Sequence, residues 1–190
     1  EGTIAVVACD KPPVGTLSAL LEHNRPAIIM SDGTIRPGKN SLSNEPLDII
    51  SSFQLAGSND EELKCRIAKE SCPGYGSCGG MFTYNTMQTF IAVVGMQPLD
   101  MVSPPSDDSR RINEFPIQLV DHLVNMVKKN ITPRDLVNKD SIRNAMIVSM
   151  AVGGSTNVLL HGPEIARAAG YKHFNEDIMS VEEFNDLSQN

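Results

Sequence analysis

The sequence has no apolar run approaching the roughly 18 residues that would suggest a membrane span. It has no long Lys/Arg run and no stripe of basic and aromatic residues, so no nucleic-acid surface is expected. No signal-peptide pattern stands at its start. The net charge of −7 is a poor fit to holding phosphorylated ligands by bulk field, although a local site can still do so. The cysteines are Cys9, Cys65, Cys72 and Cys78, and none forms a CxxC pair. Zinc-ribbon and thioredoxin-type readings therefore lack support. Without a secretory signal, a disulfide framework is not expected. The Asn130-Ile131-Thr132 sequon, with Pro133 next, is read as chance. No internal repeat or low-complexity tract stands out. The chain opens at Glu1 without Met, which reads as a fragment or a processed chain.

What is present is a soluble, globular composition, 41% hydrophobic and 21% charged, on 190 residues. That length suits one good core. Ile4 to Ala8 reads as a buried strand, Val14 to about His23 as a helix with Pro13 in its first turn, and Ala27 to Ser31 as a second buried strand. Two apolar strands around one helix make a βαβ unit and imply a parallel sheet. The fold expected is α/β, a mostly parallel sheet flanked by helices, with residues 1–190 as a single domain. Helices are expected at 45–56, at 60–71 with Asn59 as cap, at 81–94, and at 109–129 with a break at Pro116. Ile112, Phe115, Leu119, Leu123 and Val127 form the apolar side of the last of these. Further helices are expected after Thr132, at 141–151, at 158–169 ending at Gly170, and from Ser180 onward. Cys65, beside Leu63 and Ile67, reads as a small core residue.

Three turns interrupt this pattern, each ahead of a helix. The first, Cys9-Asp10-Lys11-Pro12-Pro13, falls at the C-terminal end of the first strand, where ligands bind in open α/β sheets. A soft thiolate beside a hard carboxylate suits two different metals. The alternative is a strand-to-helix turn with a buried Cys and a capping Asp. In the second, Cys72 to Gly80, four Gly and one Pro cannot form regular structure. Cys78 lies near a helix N-terminus, where the dipole favours thiolate; a Cys72–Cys78 disulfide is the alternative. In the third, Gly153 to Asn157, either the backbone N–H groups bind an anion or the glycines let two helices pack closely. The loop Ser31 to Asn40 leaves the second strand on the same edge as Cys9. It is either a solvent loop or a second wall of a ligand site. The wide spacing of Cys9 and Cys78 fits cluster ligands from separate loops, not a compact ferredoxin run.

The trio Cys9-Asp10-Lys11 after a strand, the stretch CPGYGSCGGMFTYNTM, and GGSTNVLLH ahead of a helix resemble the dihydroxy-acid dehydratase family, which also contains phosphogluconate and sugar-acid dehydratases. The resemblance runs in order along essentially the whole chain. It implies the N-terminal domain of a dehydratase, carrying an iron–sulfur cluster (2Fe-2S or 4Fe-4S) and magnesium. Cys9 and Cys78 match two of three cluster ligands. The third would lie upstream of Glu1. Cys72 matches a position that is not a ligand, and Cys65 matches none. Asp10 matches a magnesium ligand, and Lys11 a lysine that is carbamylated and also binds magnesium. A carbamate supplies oxygen ligands where an ammonium would repel the cation. Two departures stand out. Pro12 follows the trio where a threonine or isoleucine is common. Asp32-Gly33-Thr34-Ile35 replaces a common Gly-Gly-Pro-Met loop.

The implied reaction is dehydration of a 2,3-dihydroxy acid to a 2-oxo acid. Magnesium holds the carboxylate and the 2-hydroxyl, and a cluster iron acts as Lewis acid on the 3-hydroxyl. The base is a serine of a C-terminal domain absent from this segment, so no local residue is assigned as catalytic. The segment by itself is expected to be inactive. The CPGYGSCGG form points to the branch that makes 3-methyl-2-oxobutanoate from 2,3-dihydroxy-3-methylbutanoate in branched-chain amino-acid synthesis. The altered loop at Asp32 favours the alternative, a sugar-acid dehydratase. A reading of another class is a non-catalytic α/β binding module with structural cysteines. The resemblance further implies a homodimer, located in the cytoplasm or in an organelle if eukaryotic, with no membrane or nucleic-acid partner.

Overall fold

A computed structural model describes residues 1–189. Strand β1 (Thr3–Val7) leads through Ala8-Cys9-Asp10 into helix α1 (Lys11–His23), and β2 (Ala27–Ser31) returns beside β1 in parallel register, with Thr3 opposite Ala27 and Val7 opposite Ser31. This is the expected βαβ unit. Asn24 closes α1 in the left-handed conformation, its N–H bonded to the Leu20 carbonyl.

The expectation of a mostly parallel sheet flanked by helices requires correction. Among the described residues the parallel sheet has two strands, and most of the chain is helical. The position beside β2 is filled by irregular chain. The Ile29 N–H donates to the Met96 carbonyl at 2.8 Å, and Pro98 then leads into a single 3-10 turn, Leu99–Met101. A proline there cannot extend a ladder. The first strand is not buried as expected either. Side chains alternate across a sheet, and β2 puts Ala27 and Ile29 in the main core but Ile28 and Met30 in a second cluster with Met101, Phe115 and Leu119. That second cluster does not extend over β1, whose Ile4 and Val6 stay 36% and 64% exposed.

The main core is built on α4 (Thr83–Val93), buried on nearly every face. A helix buried on most sides needs neighbours all round. It takes α1 on one side and α8 (Lys139–Ala151) on another, while α9 (Val158–Ala169) lies against α1. Phe90, Ile91, Leu17, Leu21, Ile142, Met146 and Ile165 meet there. Between β2 and α4 the chain forms a short antiparallel pair, β3 (Gly38–Lys39) with β4 (Pro46–Leu47), then α2 (Ile49–Gln54) and α3 (Glu61–Ser71). The helix expected at 45–56 therefore shrinks to α2. Pro46 and Leu47 pair as a strand, and Asp48 starts the helix through a capping box with Ser51. The cap of α3 is Asp60 rather than Asn59. Cys65 is exposed, not core; Ile67 and Ser71 are the side chains of α3 that turn inward.

The break at Pro116 is present. Helix α5 (Arg110–Asn113) stops before α6 (Phe115–Lys129), which has Pro in its first turn. The expected apolar side is only partly buried. Phe115 and Leu119 are covered, while Ile112 beyond the break is 77% exposed and Val127 near the far end is 39% exposed. Thr132 caps α7 (Pro133–Leu136), and Gly170 in the left-handed region ends α9. The chain finishes with α10 (Phe174–Asp177) and α11 (Val181–Gln189). Among the described residues no helix is long and apolar enough to cross a membrane.

Gly38 is required by packing. A Cβ on Gly38 would lie 1.6 Å from the Glu70 carbonyl oxygen, whereas one on Gly15 of α1 meets nothing within 4 Å. Gly38→Ala is expected to cost about 2 kcal/mol or more by forcing β3 off α3. Gly15→Ala should add about 0.5–1 kcal/mol of helix stability. Urea unfolding midpoints of the intact protein check both.

Candidate functional site

The parallel register brings the ends of β1 and β2 out side by side, so the CDK turn and the loop at Asp32 leave the sheet together. The Asp32 N–H donates to the Val7 carbonyl at 2.9 Å. Cys9 follows β1 in the left-handed conformation, φ 63°, which for a non-glycine residue costs roughly 1–2 kcal/mol. It is not in a helix, as expected. Asp10 is the N-cap of α1, its carboxylate accepting the Lys11 N–H at 2.8 Å. The capping part of the alternative reading is thus present, but the buried cysteine is not: Cys9 is exposed.

Asp10 serves three donors. Besides the Lys11 N–H it accepts the Lys11 ammonium at 3.1 Å and the Cys9 thiol at 3.5 Å. The lysine contact, the largest effect, holds its carboxyl below the usual carboxylate range against the opposing effect of desolvation, and the thiol adds to the lysine. Both side chains reach solvent, with Lys11 81% exposed, so this pair adds little stability.

The second turn is brought to the first. Ser77, next to Cys78, accepts the Cys9 N–H on its hydroxyl at 3.0 Å across 68 positions of sequence. The same hydroxyl donates to the Asp32 carboxylate at 2.9 and 3.0 Å. The Ser77 backbone is pinned on both sides, its N–H to the Gly33 carbonyl at 2.9 Å and its carbonyl to the Ile35 N–H at 2.7 Å. Gly76 makes this approach possible, because its φ is 131° and a Cβ there would sit 2.6 Å from the Ile35 nitrogen. From α4, the Asn85 side-chain amide donates to the carbonyls of Cys78, at 2.9 Å, and of Gly80. Cys78 itself lies five residues ahead of α4, which begins at Thr83 with Phe82 as its cap position. The helix N-terminus is therefore further from the thiol than the sequence suggests.

The loop after β2 walls the site rather than running free in solvent. Thr34 bridges to both Ser77 and Pro105. It borders a cavity of about 450 Å³ lined by Ile35, Ile49, Ile50, Phe82, Cys72 and Cys78. Arg36 stands at this cavity with its guanidinium on the Asp107 carboxylate at 2.7 and 2.8 Å. Beneath the loop, Tyr84 and Ser31 share a hydrogen bond and both accept the Gly33 N–H. Burial pushes the Tyr84 hydroxyl well above its ordinary range, so it stays protonated as a donor.

All four cysteines are free, so the Cys72–Cys78 disulfide is not formed. The Gly153-Gly154 turn follows its packing reading. A Cβ on Gly154 would meet the Ser149 carbonyl at 2.7 Å and the Thr86 side chain. The Ser155 N–H is taken by the Thr86 hydroxyl at 2.8 Å, and Ser155 and Asn157 both bond the Thr83 hydroxyl, at 3.0 and 2.8 Å. These groups hold α4 to the start of α9.

No group of three or more His, Cys, Asp or Glu that could hold a metal exists among the described residues. What they offer is two exposed thiols from hydrogen-bonded loops and one carboxylate beside a lysine. That set fits part of a cluster site, which needs further thiolates. It fits part of a hard-cation site provided that Lys11 does not carry its positive charge. The residues singled out from the sequence, Cys9, Cys78, Asp10 and Lys11, lie on the two turns that meet here, while Ser77 and Asn85, which join those turns to each other and to α4, were not singled out. Asp32 stood out only as a departure. A serine beside a cysteine in a glycine-rich loop carries no signal of its partner 68 positions away.

Cys72 is half-buried, and its titration is displaced. Burial first, then the negative charges of Asp48 and Cys78, push its pKa up. Less thiolate is present at a given pH, and thiolate is the nucleophile. In metal-free protein at pH 8, Cys72 is expected to lag the exposed Cys9 and Cys65 in alkylation by iodoacetamide and to gain on them as pH rises. Asp48→Asn should shorten the lag. Site-resolved mass spectrometry of the alkylated protein measures it.

Residues 1–189 match the family model described as "Dihydroxy-acid/6-phosphogluconate dehydratase N-terminal". The chain is 38% identical over 186 residues to the chloroplastic dihydroxy-acid dehydratase of Arabidopsis thaliana, covering 95% of this chain and 30% of that protein. It is 41% identical over 175 residues to the dihydroxy-acid dehydratase of Prochlorococcus marinus strain MIT 9313, covering 90% and 31%. It is 37% identical over 186 residues to a mitochondrial dihydroxy-acid dehydratase of Penicillium brasilianum, covering 95% and 31%. The chain thus spans about a third of the length of these curated relatives. With the strand-to-helix CDK turn and the glycine-rich cysteine loop joined in one place, the chain belongs to the dihydroxy-acid/6-phosphogluconate dehydratase family and corresponds to its N-terminal region.

Proposed function

We propose that the intact protein is a hydro-lyase that converts 2,3-dihydroxy-3-methylbutanoate to 3-methyl-2-oxobutanoate in branched-chain amino-acid synthesis. The observation that carries this reading is the Ser77 hydrogen bond that joins the CDK turn to the loop of Cys78, in a chain whose relatives bear the name dihydroxy-acid dehydratase. On this reading residues 1–190 are one domain of the protein. Cys9 and Cys78 are thiolate ligands of an iron–sulfur cluster, and Asp10 and carbamylated Lys11 hold magnesium. When bound, these groups supply Lewis-acid chemistry at the departing hydroxyl and at the substrate carboxylate.

The chain's own residues shape the rest. Ile35, Ile49, Ile50 and Phe82 make the cavity beside Cys78 apolar, which suits a branched alkyl end and excludes water from the reacting carbons. Asp32, the departure that favours a sugar acid, does not line this cavity; its carboxylate is spent on Ser77. That supports the smaller, less hydroxylated substrate. The base that takes the C2 proton belongs to the part of the relatives' length that this chain does not span. The assembly proposed is a homodimer, in the cytoplasm or, in a eukaryote, in an organelle, like the plastid and mitochondrial relatives by name.

The test is to purify the intact protein anaerobically, reconstitute it with iron, sulfide and magnesium, and measure 2-oxo acid formation from 2,3-dihydroxy-3-methylbutanoate and from aldonates. Turnover of the branched acid at least about tenfold faster, roughly 1.4 kcal/mol of discrimination, is the expected outcome. Preference for an aldonate would reassign the substrate. Cys78→Ser is expected to abolish the visible absorbance of the cluster, and Cys65→Ser to leave it intact. An unchanged absorbance in Cys78→Ser would sink the ligand assignment.

A further inference from the structure

We infer that Ser77, oriented by Asp32, is a positioning residue that sets the Cys9 thiol against Cys78; this rests on the reading that both cysteines ligate one cluster. A serine hydroxyl has one proton to give. Here that proton is directed at the Asp32 carboxylate, which as an ionised group can only accept. The hydroxyl oxygen is thereby turned, lone pair outward, to the Cys9 N–H at 3.0 Å. The relay has one direction, from Cys9 through Ser77 to Asp32. Its charged end makes the serine contact stronger than a neutral one.

Asp32 and Ser77 are each fixed independently of the relay. Asp32 is tied to the end of β1 through the Val7 carbonyl, and Ser77 is tied to the loop after β2 through Gly33 and Ile35. Cys9 is the strained member, with φ 63°. Its N–H has no place in the β1–β2 ladder, which ends at Val7 opposite Ser31. The Ser77 hydroxyl is thus the contact that holds Cys9 in that conformation from outside its own turn. Because Ser77 precedes Cys78 directly, one hydroxyl sets both thiol-bearing turns in register. A residue one bond removed from a metal ligand orients that ligand, and loss of such a contact commonly weakens metal retention by 10–100-fold.

The experiment uses the intact protein with Ser77→Ala, Ser77→Thr, Asp32→Ala, Cys9→Ser and Cys78→Ser. Each is reconstituted anaerobically with iron and sulfide. Three quantities are read: bound iron, the electron paramagnetic resonance spectrum of the reduced cluster, and the rate of bleaching in air. Circular dichroism reports folding. Ser77→Ala and Asp32→Ala are expected to stay folded, to show a shifted resonance spectrum, and to bleach about tenfold faster than wild type. Ser77→Thr, which keeps the hydroxyl, is expected to restore both spectrum and bleaching rate. If Ser77→Ala fails to fold, the comparison of Asp32→Ala with Ser77→Thr decides on the same criteria. A wild-type spectrum and bleaching rate in Ser77→Ala or, failing that, in Asp32→Ala overturns the inference while Cys9→Ser and Cys78→Ser still lose iron. If those two cysteine variants retain the cluster, the ligand reading itself fails, and the inference with it.

Discussion

Two strands that run parallel and in register must release their chains at the same end. Val7 lies opposite Ser31, so Cys9 and Asp32 emerge as neighbours whatever follows them. The feature depends on burial of β2. All five of its residues are buried, with the main core on one face and the Met101–Phe115–Leu119 cluster on the other. A strand covered on both faces cannot slip by one residue without exchanging the two sets of side chains. The register, and with it the meeting of the CDK turn and the loop at Asp32, is held by hydrophobic packing and not by the polar groups of the site.

The polar groups refine what packing brings together. Ser77 carries the loop of Cys78 to Cys9, Asn85 carries the stability of α4 into the same loop, and Gly76 makes the close approach sterically possible. Side chains of α4 tie it at both ends of the chain. Tyr84 supports the loop after β2 from below, and Thr83 and Thr86 hold the turn before α9. The third glycine-rich turn therefore acts at a distance. It anchors the helix from which Asn85 reaches the cysteine loop, and it offers no free N–H groups of its own at Ser155.

The site differs in kind from the core that supports it. Cys9 and Cys78 are exposed, Lys11 and Asp10 face solvent as a weak ion pair, and the adjoining cavity is apolar. On the proposed reading, thiols and a carboxylate with solvent-facing atoms beside an apolar wall would give a place where a hydroxyl is activated and a surface that keeps water from the carbons.

The βαβ start and the helix boundaries marked by Pro13, Pro116, Thr132 and Gly170 are legible in the sequence alone, as are the motifs that hold Cys9 and Cys78. These are local matters. Proline geometry, left-handed caps and hydrophobic period act over a few residues and can be read from them. Only the tertiary structure decided the size of the sheet, because an irregular segment at Met96 competes for the edge of β2. It also decided that Cys65 faces solvent although its neighbours are apolar, since α3 turns Ile67 and not Cys65 inward. Pro46 and Leu47 lost their helical pattern to pairing with Lys39 and Gly38, a partner no local period reveals. The bond from Cys9 to Ser77 is the extreme case. Its donor is a backbone N–H that every cysteine has, its acceptor a hydroxyl 68 positions away, and only the folded chain puts them within reach.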